Sequence, residues 1–252
     1  MIQIQYASDI HLEVNSGKPF RPSHLHRNTS VLVLAGDVTN SPQQLVNYLR
    51  AFPDSLPIVY VLGNHEYFGH DWSKAPDEYR EVLRDLGNVV FLNNEIAVLS
   101  GIRFVGTTLW TDFLFGTQGP AAQAELPDYD HIKVGDRGLT WPDVYKSHVR
   151  DWEWLKEQIL TPSNLTTVVV THHAPSWKSN PYIFRDSPVT GAFCNKLDVW
   201  IEEHPVSAWI HGHTHSTVEY MIGETIVLAN ACGFFDENPD YRPQALIELE
   251  TA

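Results

Sequence analysis

Ile58-Val59-Tyr60-Val61-Leu62-Gly63-Asn64-His65-Glu66 is the stretch on which the rest of the chain turns. A short apolar run bounded by glycine reads as a buried strand. Its far end delivers an amide oxygen and an imidazole side by side: one can ligate a metal, the other can move a proton. Alone, Asn-His after a glycine also makes an ordinary turn. The same arrangement recurs at other strand ends of this chain, and the recurrence gives it weight.

Working outward, Val31-Leu32-Val33-Leu34-Ala35 is a continuous apolar run, the pattern of a strand covered on both faces, as in sheets flanked by helices, and it ends in Gly36-Asp37. Ile2, Ile4 and Tyr6 alternate with Gln3 and Gln5 and lead to Asp9-Ile10-His11. In extended backbone Asp9 and His11 would point to the same side. Thr166 to Val170 is a β-branched strand ending in Thr171-His172-His173, and Val206 to Ile210 ends in His211-Gly212-His213-Thr214-His215. Between these lie helical periods. Ser41-Pro42 has helix-start chemistry, with Leu45, Leu49 and Phe52 on one face. Pro76 to Leu86 puts Tyr79, Val82, Leu83 and Leu86 together before Gly87. Val144, Tyr145, His148, Val149, Trp152, Leu155 and Ile159 keep a helical period, and Lys196 to Glu203 is a shorter helix. Trp152 and Trp154 suggest a stacking platform, but Trp152 lies on the apolar stripe and reads as core.

Val89–Leu92 and Glu95–Leu99 read as short strands around an Asn93-Asn94 hairpin turn. Arg103 to Leu109 is another strand, Met221 to Thr225 a hairpin, and Thr225–Ala229 and Ala245–Leu249 close the chain. Residues 15–30 read as loop. Residues 112–140 and 176–193 lack a period and read as lid or substrate loops. With no repeat or linker, residues 1–252 are expected to form one α/β domain, and a single core is comfortable at this length.

Lys and Arg number 17 against 31 Asp and Glu, a formal net charge of -14. With no basic run, duplex nucleic acid and anionic membrane are disfavoured as partners. The two cysteines, Cys194 and Cys232, have no metal-site spacing and suit a reducing, cytoplasmic setting. No signal peptide is expected from Met1-Ile2-Gln3-Ile4-Gln5, which alternates like a strand. No apolar run approaches the roughly 20 residues of a membrane span.

Sites in α/β sheets form at the carboxyl ends of strands. These strand ends could therefore gather Asp9, His11, Asp37, Asn64, His65, His172, His213 and His215. The donors are nitrogen and oxygen without thiolate, which suits Mn, Fe, Zn, Co or Ni. The set exceeds what one tetrahedral ion takes, and it suits two metals roughly 3.5–4 Å apart sharing a carboxylate.

Asp9-x-His11, Gly36-Asp37, Gly63-Asn64-His65-Glu66, His172 and Gly212-His213-x-His215 resemble, in order, the motifs of the calcineurin-like metallophosphoesterase superfamily. The resemblance implies a four-layer α-β-β-α sandwich of two mixed sheets flanked by helices. It implies one divalent metal on Asp9, His11, Asp37 and His215 and another on Asp37, Asn64, His172 and His213, with Asp37 bridging. Manganese is the first expectation, with iron, zinc, nickel and cobalt also admitted. A hydroxide between the metals would attack phosphorus, and His65 would protonate the leaving oxygen or hold the phosphoryl group. His172 is chosen over His173 because the family's ligand usually follows the strand directly. His211 reads as packed by strand alternation, or as a group supporting the ligands.

Protein phosphatases of the superfamily carry Gly-Asp-x-x-Asp-Arg-Gly. Here the stretch is Gly36-Asp37-Val38-Thr39-Asn40-Ser41-Pro42, so Asn40 stands where an acidic partner of the catalytic histidine would be. The chain looks more like the compact bacterial or phage phosphohydrolases. The expectation is a phosphodiesterase with a small-molecule phosphoester substrate. A small-molecule phosphomonoesterase, a nuclease and a catalytically silent metal-binding scaffold are the alternatives. Tyr129, Asp130, His131, Lys178 and Arg185, in the two long loops, are candidates to reach the substrate.

Overall fold

Strand alternation decides which faces of this chain are covered, and by what. The computed structural model describes residues 1–15, 20–235 and 237–251. Residues 16–19 of the loop expected over 15–30 lie outside the described residues. In chain order, β1 (Ile2–Ala7) and β2 (Val31–Ala35) are followed by α1 (Pro42–Leu49), β3 (Ile58–Val61), α2 (Ala75–Leu83) and β4 (Val89–Phe91). Next come β5 (Glu95–Leu99), β6 (Ile102–Thr107), α3 (Gly119–Glu125), α4 (Asp128–His131), β7 (Lys133–Val134) and β8 (Arg137–Gly138). The remainder is α5 (Trp141–Leu160), β9 (Thr166–Thr171), α6 (Asp198–Glu203), β10 (Ala208–His211), β11 (Thr217–Ile222), β12 (Thr225–Asn230) and β13 (Leu246–Leu249).

A five-stranded sheet has the order β13-β1-β2-β3-β4, parallel except for β13. A six-stranded sheet has the order β11-β12-β10-β9-β6-β5, with its inner strands parallel and its two edge strands antiparallel. Ile4, Tyr6, Val33 and Val59 of the first sheet pack against Phe104, Val168, Val170 and Ile210 of the second. The alternate residues face outward onto helices. Leu32, Leu34 and Tyr60 join a core with Leu45 and Leu49 of α1 and Tyr79 and Leu83 of α2. Val105, Val169 and Trp209 do the same with Leu155 of α5 and Ile201 of α6. The four layers are the expected α-β-β-α sandwich of two mixed sheets. Among the described residues, no helix is long and apolar enough to cross a membrane.

Local chemistry starts the helices as read. Ser41 Oγ accepts a hydrogen bond from Gln44 N at 3.4 Å, with Pro42 in the first turn of α1. Asp143 Oδ2 accepts from Thr140 N at 3.0 Å at the start of α5 and pairs with Arg137 at 2.6 Å. Trp152 lies in the outer core with its ring 4.8 Å from that of Trp200, as its place on the stripe implied.

Three local expectations need correction. Asn93-Asn94 does not close a hairpin, because β4 pairs with β3 in the first sheet and β5 pairs with β6 in the second. Asn94 turns the chain with φ 56, as its side chain tolerates, but carries it from one sheet to the other. The stretch 112–140 is not structureless: it holds α3, α4 and the β7–β8 ribbon. These pieces are too short to show a period. Val149 of α5, read onto the apolar face, is 42% exposed, and Asp151 is buried instead, accepting from Asn94 Nδ2 at 3.0 Å.

Candidate metal centre and active site

Register brings the strand ends level. Ala7 lies beside Leu34 and Ala35 beside Val61 in the first sheet, and Ile210 lies beside Val170 in the second. The chain therefore leaves both sheets along one edge, and the loops after β1, β2, β3, β9 and β10 meet there. His213 N donates to both Asp9 carboxylate oxygens, at 3.0 and 3.1 Å, and so ties the two sheets' loops together.

Asp9, His11, Asp37 and His215 offer ligand atoms within 4.8 Å of one another, and so do Asp37, His172 and His213. In the first group His11 Nε2 lies 3.1 Å from His215 Nε2, and His215 Nε2 lies 3.4 Å from Asp9 Oδ1. In the second, His172 Nε2 is 3.1 Å from Asn64 Oδ1 and 3.4 Å from Asp37 Oδ2. Asp37 Oδ2 is also 3.7 Å from His11 Nε2, so this one carboxylate oxygen faces both groups.

The pincer of Asp9 and His11 is not built by extended backbone, as its spacing suggested. Both residues adopt left-handed conformations, φ 52 and 47, and so do Asp37, His213 and His215. For residues with a Cβ such conformations cost on the order of 1–3 kcal/mol each and persist where the surroundings impose them. The glycines make room. A Cβ on Gly36 would stand 2.4 Å from His172 Nδ1, and one on Gly63 would stand 2.1 Å from Asp37 Oδ1.

The distal ring nitrogens are held as metal-ligating histidines require. His172 Nδ1 is 2.8 Å from the Ala35 carbonyl, which leaves Nε2 toward Asp37. His11 Nδ1 lies 3.1 Å from Glu13 Oε1, and His215 Nδ1 lies 2.7 Å from Glu237 Oε2. Glu13 Oε1 is also 3.0 Å from His65 Nδ1. One carboxylate thus stands behind both a candidate ligand and the candidate proton donor. The alternate residues Asp9, His11 and Glu13 carry its signal in the sequence, whereas Glu237 has none locally.

Buried Glu66 organises the loops from below. Its carboxylate accepts from Gly63 N at 2.6 Å, Val38 N at 2.7 Å, Asp37 N at 2.9 Å and the Tyr60 hydroxyl at 2.9 Å. Burial and the neighbouring Asp37 charge push its carboxyl up to about 7, against the pull of these donors. Burial would also raise Asp9 and Asp37, but the imidazoles around them win. Asp9 lies below the usual carboxylate range and Asp37 well below it. Burial opposes a charged His172, yet Asp37 outweighs it and holds that imidazole up at about 9. Burial likewise opposes a charged His65, and Asp37 and Glu13 hold its pKa above the ordinary value. A field that favours a proton at these nitrogens also favours a metal cation among them. The donors, oxygen and imidazole nitrogen, fit divalent transition metals.

His173 is buried beside this cluster, its ring 4.1 Å from that of His213, with Nδ1 directed at the Thr108 carbonyl. His211 is fully buried and bonds Ser179 Oγ through Nε2 at 2.7 Å. A cavity of about 440 Å³ opens from Asp37, Asn64, His65, His213 and His215. Of the substrate-contact candidates Tyr129 lines it; Asp130, His131, Lys178 and Arg185 do not. Lys178 instead pairs with Asp198 at 3.1 Å, and Arg185 lies over the Tyr182 ring. Asp128 lines the cavity and was missed: its α4 helix is too short to announce which side faces inward.

Comparisons with known proteins give the family and the fold. The calcineurin-like phosphoesterase family model matches residues 6–217. The uncharacterized protein L509 of Acanthamoeba polyphaga mimivirus is 27% identical, the match covering 98% of this chain and 96% of the viral protein. The crystal structure of the phosphopantetheinyl hydrolase PptH of Mycobacterium tuberculosis superposes with a TM-score of 0.70 at 16% identity. That likeness covers 93% of this chain and 90% of PptH. GAP50, the anchor in the inner membrane complex of Plasmodium, gives a TM-score of 0.52 at 15% identity, over 92% of this chain and 71% of GAP50.

Proposed function

The chain belongs to the calcineurin-like phosphoesterase family, and on that premise we propose that it is a phosphodiesterase working through two divalent transition-metal ions. The observation that carries the reading is the position of Asp37 Oδ2, 3.7 Å from His11 Nε2 and 3.4 Å from His172 Nε2. Asp9, His11, Asp37 and His215 would hold one ion. Asp37, Asn64, His172 and His213 would hold the other. Manganese is the ion proposed first, and iron, zinc, nickel and cobalt suit the same donors. When bound, the ions would lower the pKa of water and neutralise charge on the phosphoryl oxygens.

The chain's own side chains do the remaining work. His65, with Nδ1 tied to Glu13, keeps Nε2 for the substrate and delivers a proton to the leaving oxygen. Its backbone N donates to Asp37 Oδ1 at 2.9 Å, which fixes the proton donor to the shared ligand. Glu13 fills the place that an acidic residue at position 40 would take in a protein phosphatase; Asn40 instead offers its carbonyl to His70. Glu13→Gln is expected to lower turnover about 10- to 100-fold, the usual weight of a carboxylate behind a ligand histidine. Unchanged steady-state kinetics in that variant would remove Glu13 from the account.

GAP50 shows that this fold also serves as an anchor, so the fold alone does not decide for an enzyme. What supports catalysis is the completeness of the donor set together with His65. A cytoplasmic setting belongs to the same proposal, supported by Cys194 and Cys232, both free and buried. The test is hydrolysis of bis(p-nitrophenyl) phosphate against p-nitrophenyl phosphate by metal-stripped protein refilled with Mn, Zn, Ni or Mg. Metal-dependent cleavage that favours the diester is expected. A monoester preference would turn the reading to a phosphomonoesterase, and no turnover with either would overturn it.

A further inference from the structure

From the cavity beside the candidate metal centre, we infer that the phosphoester this protein binds carries a long, uncharged, apolar arm. The inference rests on the phosphoesterase reading above and names the substrate class of the same site.

Beyond the site residues, the cavity walls are mostly apolar, with Trp110, Phe113, Leu126, Phe184, Val189 and Phe193 among them and Thr111, Asn180, Ser187 and Thr214 interspersed. No Lys or Arg is among the described residues that line it, while the carboxylates of Asp128 and Glu237 are. A second phosphate on the substrate would find no cation there and would meet two acidic groups. The volume, about 440 Å³, is that of a pocket for a ligand well beyond a bare phosphate. The walls are pinned to one another. Gly191 N donates to Gln118 Oε1, joining the stretch before α6 to the start of α3. Asn195 Nδ2 donates to the Trp110 carbonyl at 2.9 Å, and Asp112 N to Asn195 Oδ1 at 3.2 Å. The cavity is therefore preformed. Tyr182 and Ile183, in the same turn as Phe184, are 83% and 80% exposed, which extends the apolar surface outward. Nucleotide polyphosphates and nucleic acid strands, with anionic groups repeated along their length, do not match these walls.

Non-hydrolysable phosphonates separate this inference from the catalytic one. Methylphosphonate, hexylphosphonate and hexane-1,6-diyl bisphosphonate would be titrated into the Mn-loaded protein by calorimetry. Each buried methylene is worth about fourfold in affinity. Hexylphosphonate should therefore bind at least about 30-fold more tightly than methylphosphonate. The bisphosphonate, whose second anion meets the apolar walls, should fall back to within a few-fold of methylphosphonate. In Leu126→Lys, at a partly exposed wall position, the order of the two six-carbon ligands should reverse. Equal binding of the methyl and hexyl compounds, tighter binding of the bisphosphonate to the unaltered protein, or no binding by any would overturn the inference. The expected binding order with no ester hydrolysed would instead sink the catalytic reading and leave the apolar-arm pocket standing. Hydrolysis with a flat binding series would do the reverse.

Discussion

Asp37→Ala is expected to lower metal-dependent phosphoester hydrolysis by at least about a thousandfold, the scale on which a two-metal site lowers the barrier. Among the described residues, Asp37 is the side chain that both candidate metal groups share. Its Oδ2 lies within 4 Å of both His11 and His172, and it is almost fully buried. The loss should therefore reach both ions, whereas His172→Ala or His215→Ala should weaken one. Asp37→Asn keeps a side-chain oxygen for the His65 backbone N–H and so serves as the control for folding. If that variant folds as the unaltered protein does but binds less metal and turns over at background rate, Asp37 acts as a shared ligand. Full activity in Asp37→Asn would contradict the assignment.

The second large effect is expected at His65, and it should depend on the leaving group. An imidazole that protonates the departing oxygen matters most when that oxygen leaves poorly as an anion. His65→Ala should cost about 10³- to 10⁴-fold on a dialkyl phosphate. It should cost only about tenfold on bis(p-nitrophenyl) phosphate, whose phenolate needs little help. Metal content should not change, since His65 belongs to neither of the two groups that share Asp37; a loss of metal would instead point to the cluster it forms with His11 and Glu13. Its ring lies 4.4 Å from that of His11 and stacks on Phe68 at 4.3 Å, so the variant leaves a gap beside the site. His65→Gln, which fills much of that gap, should show the same dependence on leaving group. Equal losses on both esters would mean that His65 holds the phosphoryl group rather than supplying a proton.

Much of the architecture was legible because buried parallel strands announce themselves. Val31–Ala35, Ile58–Val61 and Thr166–Thr171 are nearly continuous apolar or β-branched runs, and each ends at a polar residue that register then brings level with the others. The candidate ligands could be named for the same reason: Asp37, Asn64 and His172 stand one to three residues past a strand, too close to wander. Other features were illegible for physical reasons. Asn93-Asn94 has turn chemistry, but nothing local says that β5 joins the other sheet, where its partner β6 has yet to be made. Asp9 and His11 were expected on extended backbone, yet their positive φ values are imposed by the crowding of loops from both sheets. Glu13 stands two residues from His11, but its contact with His65 and that of Glu237 with His215 join separate loops, relations that exist only in three dimensions. The cavity is hardest of all to read. Its walls come from loops and short helical turns, with Trp110, Leu126, Phe184 and Phe193 among them, whose apolar residues follow no period.

The most direct test of the two-metal account is a manganese titration of metal-stripped protein, followed by calorimetry and by bis(p-nitrophenyl) phosphate turnover in the same samples. Saturation at two ions per chain, with turnover rising only as the second ion binds and absent in Asp37→Ala, is the predicted result. Saturation at a single ion with full turnover, or turnover that survives complete removal of metal, would contradict it.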